Sequence, residues 1–312
     1  MANLPQYDWN DLFHIETDHV NYHIKNSFHN AMYNELPASN PGEINMQTDT
    51  PFVTFPSLDR VNFVRHGFST RLGGVSKEEF ATMNLSFSRG DNEEAVVENY
   101  RRILTSLAME QNHLVFSDQV HDTIIHKVTA SDYTTLEKHD KKLVGIDGLI
   151  TNEPNVTLIT SYADCVPLYF VDTKNRAIGL SHSGWKGTVG KIGKKIVEAM
   201  TTHYHSKPAD IVAVIGPSIC SDCYEVGEEV AEAFRLNFSA DQIDKILYKK
   251  DQTKYQLDLW LANRYILLEA GLLPENISIS CLCTCHNSGL FFSHRKSGGR
   301  RGNLAAFLSI KE

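Results

Sequence analysis

Residues 156–185 read VTLITSYADCVPLYFVDTKNRAIGLSHSGW. Three apolar, strand-like runs follow one another here, around 156–162, 166–171 and 177–182. Toward the N-terminus, three more strands are predicted around 113–121, 123–128 and 146–151. Helices are too few between residues 113 and 182 for a regular alternation of parallel strands and crossover helices. The pattern predicts a mixed, largely antiparallel sheet with helices packed outside, not a doubly wound fold.

The flanking segments alternate. VNFVRHGFSTRL (61–72) predicts a strand entering a Gly-rich turn. EEAVVENYRRILTSLAM (93–109) has helical spacing with acids in its first turn, and KIGKKIVEAMTTHY (191–204) is a second helix. DIVAVIGPSI (210–219) predicts a strand ended by Gly-Pro. CYEVGEEVAEAFRLNF (223–238) and YQLDLWLANRYILLEAG (255–271) are predicted as amphipathic helices, and ISISCLCTC (277–285) and NLAAFLSIK (303–311) as late strands. Residues 1–50 are polar, weakly periodic and end in a loop-like stretch. They are expected to be a flexible N-terminal extension ahead of a single catalytic domain over 51–312, with Met46 an alternative start.

The chain has 312 residues, 42% hydrophobic and 22% charged, enough for one large core. Its net charge of −8 argues against nonspecific nucleic-acid binding, which needs a basic face. The N-terminus has no secretory pattern, and no uncharged apolar run of about 18 residues predicts a membrane span. The six cysteines then read as reduced thiols or metal ligands, and the cytoplasm is the expected location.

His121, Cys165 and His182 each end or follow a strand-like run, where a side chain can be aimed at a cleft with little slack. Two imidazoles and a thiolate suit zinc, and three protein ligands leave a fourth position open for chemistry. Zinc lowers the pKa of bound water to about 7, which suits hydrolysis, deamination or polarising an oxygen. Copper is the competing metal, since two His and one Cys also describe a blue-copper centre. A multicopper oxidase needs several His-x-His pairs; this chain has one, His203 and His205, at a helix end. A metal-free alternative pairs Cys165 with His182 as a cysteine-hydrolase dyad. Singly, each of the three residues also has an ordinary structural reading.

SHSGWKGTVGKIGKKI (181–196) fails the Walker pattern, because five residues separate Gly184 from Gly190 and Ile192 follows Lys191. A Gly-rich turn opening a helix still offers backbone N–H groups to an anion, and Lys186 adds a charge. Arg71, Arg295, Arg300 and Arg301 are further oxyanion-clamp candidates, the last three in the most basic run of the chain. Their alternative is a solvated loop. Cys220 and Cys223, with Cys281, Cys283 and Cys285 alternating on one strand face, could form a second, structural zinc site or plain core. His19 and His23 are weaker candidates.

These residues lie in blocks that resemble a known family. HGFSTRLGGVS, MNLSFSRGD, SDQVH, IDGLIT, YADCVPL, LSHSGWKGTVGKI, IGPSICSDCYEVGEEV, LDLWLAN and CTCHNSGLFFSHRKSGGRRG run in order from about residue 52 to the C-terminus. The chain resembles the YfiH-like, laccase-domain or polyphenol oxidase-labelled proteins, regarded as purine nucleoside-processing enzymes. The resemblance implies an α+β fold, a layered αββα sandwich shared with bacterial cysteine-hydrolase toxins. It implies zinc on His121, Cys165 and His182, and phosphorolysis of adenosine, inosine and methylthioadenosine to free base and ribose 1-phosphate, with adenosine deaminase activity. On that footing Arg71, Lys186, Arg295 and Arg301 are expected to hold phosphate. Asp164 is expected to shuttle protons, support a ligand, or simply make a turn. A copper-dependent polyphenol oxidase is the alternative that the labels suggest. Lys186 stands where Arg is common in the family and His294 where Tyr is common; both change the charge on the substrate side.

Overall fold

A computed structural model describes residues 42–139 and 142–312; the candidate ligands His19 and His23 lie outside the described residues. The strands are β1 (Glu43–Asn45), β2 (Phe52–Thr54), β3 (Val64–Ser69), β4 (Leu114–Asp118), β5 (Ile125–Lys127), β6 (Lys142–Val144), β7 (Gly148–Thr151) and β8 (Thr157–Tyr162). They continue as β9 (Val166–Asp172), β10 (Ala177–Ser183), β11 (Ile211–Ile215), β12 (Glu225–Gly227), β13 (Leu247–Lys249), β14 (Lys254–Leu257), β15 (Ile277–Ile279) and β16 (Leu304–Ile310). Seven form one sheet in the order β1-β2-β3-β16-β8-β4-β6, and six a second in the order β15-β11-β9-β10-β7-β5. Antiparallel pairs dominate; β4 with β6 and β8, β5 with β7, and β11 with β15 are parallel.

The layering follows from side-chain alternation. Along β16, Leu304, Ala306, Leu308 and Ile310 face the second sheet's Leu149, Tyr169, Val171, Ile178 and Leu180. The intervening Ala305 and Phe307 face the helix Glu93–Ser106, packing with Val96, Tyr100 and Ile103. Along β9, Leu168 and Phe170 point the other way, onto Ile196 and Met200 of the helix Ile192–Tyr204 and Leu267 of the helix Leu259–Glu269. A strand apolar on both faces is therefore buried on both faces, which is why β9, β10 and β16 are buried at every position. The Tyr169 hydroxyl donates to the Gly67 carbonyl across the sheets at 2.9 Å, so the phenol is buried without an orphaned donor. The result is the helix–sheet–sheet–helix sandwich, and no described helix is long and apolar enough to cross a membrane.

Three expectations are corrected. Residues 223–238 and 255–271 are not uniform helices. Each opens as a strand, β12 and β14, which join β13 in a three-stranded sheet. In β12 and β14 the buried residues alternate (Val226; Tyr255 and Leu257), a period of two that the adjoining helices mask. The helices start after Gly227 and after Asp258, whose carboxylate accepts from the Leu261 N–H at 2.9 Å. The run 277–285 stops being a strand at Ile279, because Cys281 takes a left-handed φ of 56° that breaks the alternation.

Candidate metal centre and cavity

The strand exchange between sheets positions the site. The chain leaves the first sheet after β8 and enters the second at β9, and Cys165 lies in that crossover. His121 lies in another crossover, from β4 to β5. His182, on β10, pairs with Pro167 of β9 and so sits beside Cys165. The donor atoms of His121, Cys165 and His182 all lie within 4.8 Å of one another. Cys165 Sγ is 3.8 Å from His121 Nε2, and the two imidazoles meet edge to face at 4.7 Å.

Asp147, which the sequence reading did not single out, organises two of the three. Its buried carboxylate accepts the backbone N–H groups of Val120, His121 and Asp122 at 3.0–3.1 Å, fixing the loop that carries His121. Its Oδ1 also lies 2.8 Å from His182 Nδ1. Burial opposes the carboxylate charge, but His182 and these N–H groups outweigh it and hold the acid below its usual range. Nδ1 is thereby the donor, and Nε2 is left for a ligand.

Burial also opposes a charged sulfur at Cys165, yet His182 and His121 bring the thiol down to about 6. Burial likewise disfavours the imidazolium of His182, but the sulfur and Asp147 push it up to about 9. Without metal the pair is a thiolate–imidazolium. The donor set fits zinc: a polarised thiolate, two imidazoles, and a carboxylate fixing one ring. Gly184 completes the cradle. A Cβ there would stand 2.9 Å from His121 Cδ2 and 3.2 Å from Cys165 Sγ.

A cavity of about 270 Å³ opens onto His121, Cys165 and His182. Phe87, Tyr100, Phe116 and Tyr162 supply its rings, and Ser86, Ser88, Arg89, Gln119, Arg301 and Asn303 its polar groups. Arg301 is 8% exposed, and its Nε is buried with no hydrogen-bond partner among the described residues. Its Nη1 donates to Asn303 and to the Gly302 carbonyl. Burial and the neighbouring charge of Arg89 depress the Arg301 guanidinium to about 10. Arg89 and Arg301 bring two cations to this cavity and Asp118 one carboxylate, and the Arg301 Nε is an unmatched buried donor. Arg89 had a signal in SFSRGD, but the sequence reading passed over it.

The other anion candidates lie elsewhere. The Arg71 guanidinium donates to the backbone carbonyls of Ala81 and Ser288. Arg295 donates to the carbonyls of Cys223 and Glu225, and Arg300 meets Glu79 at the surface. Lys186 is exposed, its amine 5.6 Å over the Trp185 ring, on a helix of only five residues, Trp185–Val189. None of the four lines the cavity. Asp164 does not line it either. It has φ 87°, its carboxylate accepts from the Thr284 hydroxyl at 2.6 Å and the Arg295 N–H at 2.7 Å, and it makes the turn that presents Cys165. His203 and His205 sit exposed at the end of the helix Ile192–Tyr204, as expected. Among the remaining cysteines, Cys220, Cys223 and Cys283 gather with His286; Cys281 and Cys285 stand outside that group.

The family described as multi-copper polyphenol oxidoreductase laccase matches residues 65–311. Purine nucleoside phosphorylase YlmD of Bacillus subtilis is 42% identical over 248 residues, 79% of this chain and 88% of its own. A purine nucleoside phosphorylase of Bacteroides thetaiotaomicron is 33% identical over 86% of this chain and 99% of its own. The crystal structure of a Bacillus licheniformis hypothetical protein, YfiH, superposes with a TM-score of 0.81 at 35% identity, covering 86% of this chain and 99% of that one.

Proposed function

The chain belongs to the YfiH-like family described as multi-copper polyphenol oxidoreductase laccase, and from that premise we propose that it is a zinc-dependent purine nucleoside phosphorylase with adenosine deaminase activity. The observation that carries the reading is Arg301: a buried guanidinium with an unmatched Nε, beside Arg89, in the cavity that also holds His121, Cys165 and His182. An oxidase of phenols has no use for an oxyanion clamp; a phosphorylase requires one.

In this reading phosphate sits against Arg89 and Arg301, with the Ser86 and Ser88 hydroxyls in reach of its oxygens. The purine lies in the part of the cavity lined by Phe87, Phe116 and Tyr162. A phosphate oxygen bonds to the anomeric carbon, the bond from that carbon to the purine nitrogen breaks, and the base leaves with the electron pair. The protonated phosphate supplies the proton the base takes up. Positioning and charge complementarity provide most of the acceleration. His121, Cys165 and His182 would hold zinc, which when bound supplies Lewis-acid polarisation and a water of lowered pKa. Asp147 keeps His182 in the tautomer that frees Nε2. Adenosine, inosine and methylthioadenosine are the proposed substrates.

The test is release of adenine or hypoxanthine from these nucleosides, with and without phosphate and chelator. Phosphate-dependent release that chelation abolishes supports the reading; no release with any of the three overturns it. Near-stoichiometric copper with a blue absorption band would favour the oxidase instead. A second reading has its own observation: Cys165, His182 and Asp147 form a relay fit for a metal-free cysteine hydrolase. That activity would survive chelation and be lost to a thiol alkylator.

A further inference from the structure

We propose that Cys220, Cys223, Cys283 and His286 form a second, closed metal site, for zinc or an ion of similar softness, that clips together the ends of β11 and β15. The four donor atoms lie within 4.8 Å of one another. Around a tetrahedral zinc with bonds of about 2.3 Å, neighbouring sulfurs stand about 3.8 Å apart, so little rearrangement is needed. Cys220-x-x-Cys223 and Cys283-x-x-His286 are two close pairs, the spacing of structural zinc sites.

The backbone is already shaped for thiolates. Residues 220–224 form a tight turn, with Cys223 N–H and Tyr224 N–H on the Cys220 carbonyl at 3.1 and 3.0 Å. The N–H groups of Cys220 and His286 both donate to Cys283 Sγ at 3.4 Å. The His286 ring lies 3.5 Å from Cys220 Sγ and 3.3 Å from Cys223 Sγ, through different nitrogens. A redox pair would need two sulfurs; three sulfurs and an imidazole within 4.8 Å of one another make up a four-ligand set with no open position. That closure separates it from the three-ligand group at the cavity.

The place of the clip gives it a purpose. β11 and β15 run parallel; β11 ends at Ile215 and β15 at Ile279, and the ligand pairs begin downstream at Cys220 and Cys283. A bridge between Ser218 and Cys283 already joins those segments. Both segments also hold the Asp164 turn: Ile219 N–H donates to its carbonyl and the Thr284 hydroxyl to its carboxylate. The clip therefore buttresses the turn that presents Cys165, and Cys220, Cys223, Cys283 and His286 act as positioning residues.

The experiment is metal counting on the full chain purified in reductant, with the count repeated after Co²⁺ replacement. It is independent of any nucleoside activity. Wild type is expected to hold two zinc ions per chain. His121→Ala with Cys165→Ala is expected to keep one, and its cobalt form to show the intense near-ultraviolet band of several thiolates. Cys223→Ser with His286→Ala is expected to lose that band. One ion per chain in wild type, with His121→Ala/Cys165→Ala holding none and its remaining thiols freely titratable, would overturn the proposal. So would a Cys220–Cys223 or Cys220–Cys283 disulfide in the reduced preparation. Should a variant fail to fold, the near-ultraviolet band of the wild-type cobalt form decides, since the cavity group offers one thiolate and this group three: a band of single-thiolate intensity would overturn the proposal.

Discussion

Asp147 Oδ1 stands 2.8 Å from His182 Nδ1, and the same carboxylate receives three consecutive backbone N–H groups from the loop carrying His121. One buried acid thus sets a ring orientation and a loop conformation together. Asp147→Asn keeps the size but puts an amide NH₂ where N–H donors converge. Metal affinity at the cavity is expected to fall by roughly 10- to 100-fold, the usual cost of losing a partner of a ligating histidine. Competition with a chromogenic chelator measures it; an unchanged affinity would show that the Asp147 contact is incidental.

The thiol of Cys165 supplies a pH prediction. Its folded-state value is lowered to about 6, so the reactive thiolate is present above that pH and is lost as pH falls through it. In metal-stripped protein, iodoacetamide modification of Cys165 is expected to rise with a midpoint near 6, two or more units below an ordinary cysteine. His182→Ala removes the opposing charge, and the midpoint is expected to move up. Peptide mapping at a series of pH values reads both; a midpoint in the ordinary cysteine range in the unaltered chain would contradict the ion-pair account.

His121, Cys165 and His182 stood out because strand ends are legible: CVPLYFV is apolar throughout and AIGLSHS is apolar over Ala177–Leu180, and such runs become strands buried on both faces. Asp147 was not legible. A single acid before a glycine in IDGLIT looks like a turn former, and only the fold brings the loop after β4 to it. The basic run near the C-terminus is ambiguous for a related reason. Of Arg295, Arg300 and Arg301, one guanidinium binds backbone carbonyls, one reaches the surface, and one enters the cavity, and charge alone does not separate them. The second ligand group hid behind the alternation of Cys281, Cys283 and Cys285; the left-handed backbone at Cys281 breaks that alternation, and the turn after Cys283 sets His286 beside it.

Gly184 tests how much slack the metal centre has. Its φ of −73° is open to any residue, so the constraint is space and not backbone conformation. The Cβ of Gly184→Ala would press on His121 Cδ2 and Cys165 Sγ. Metal affinity is expected to drop about tenfold while the thermal midpoint moves by no more than about 4 °C, a cost near 1 kcal/mol. Full metal content and unaltered affinity in the variant would mean that His121, exposed on its loop, simply moves aside.

The cation pair at the cavity separates the phosphate site from its rivals. Arg89 is exposed and has no ion-pair partner among the described residues, so Arg89→Ala removes a charge without breaking a packed contact. It is expected to raise KM for phosphate about tenfold, the equivalent of 1.4 kcal/mol, with little change in KM for the nucleoside. Arg301→Lys keeps the charge but loses the unmatched Nε donor, and a similar or larger rise is expected. Lys186→Ala serves as the contrast, since its amine lies over the Trp185 ring and lines no part of the cavity. Steady-state kinetics at varied phosphate and fixed nucleoside distinguish the three. If Lys186→Ala carries the phosphate defect while Arg89→Ala and Arg301→Lys leave KM unchanged, then phosphate binds at the short helix after Gly184, and the oxyanion site assigned to the cavity is wrong.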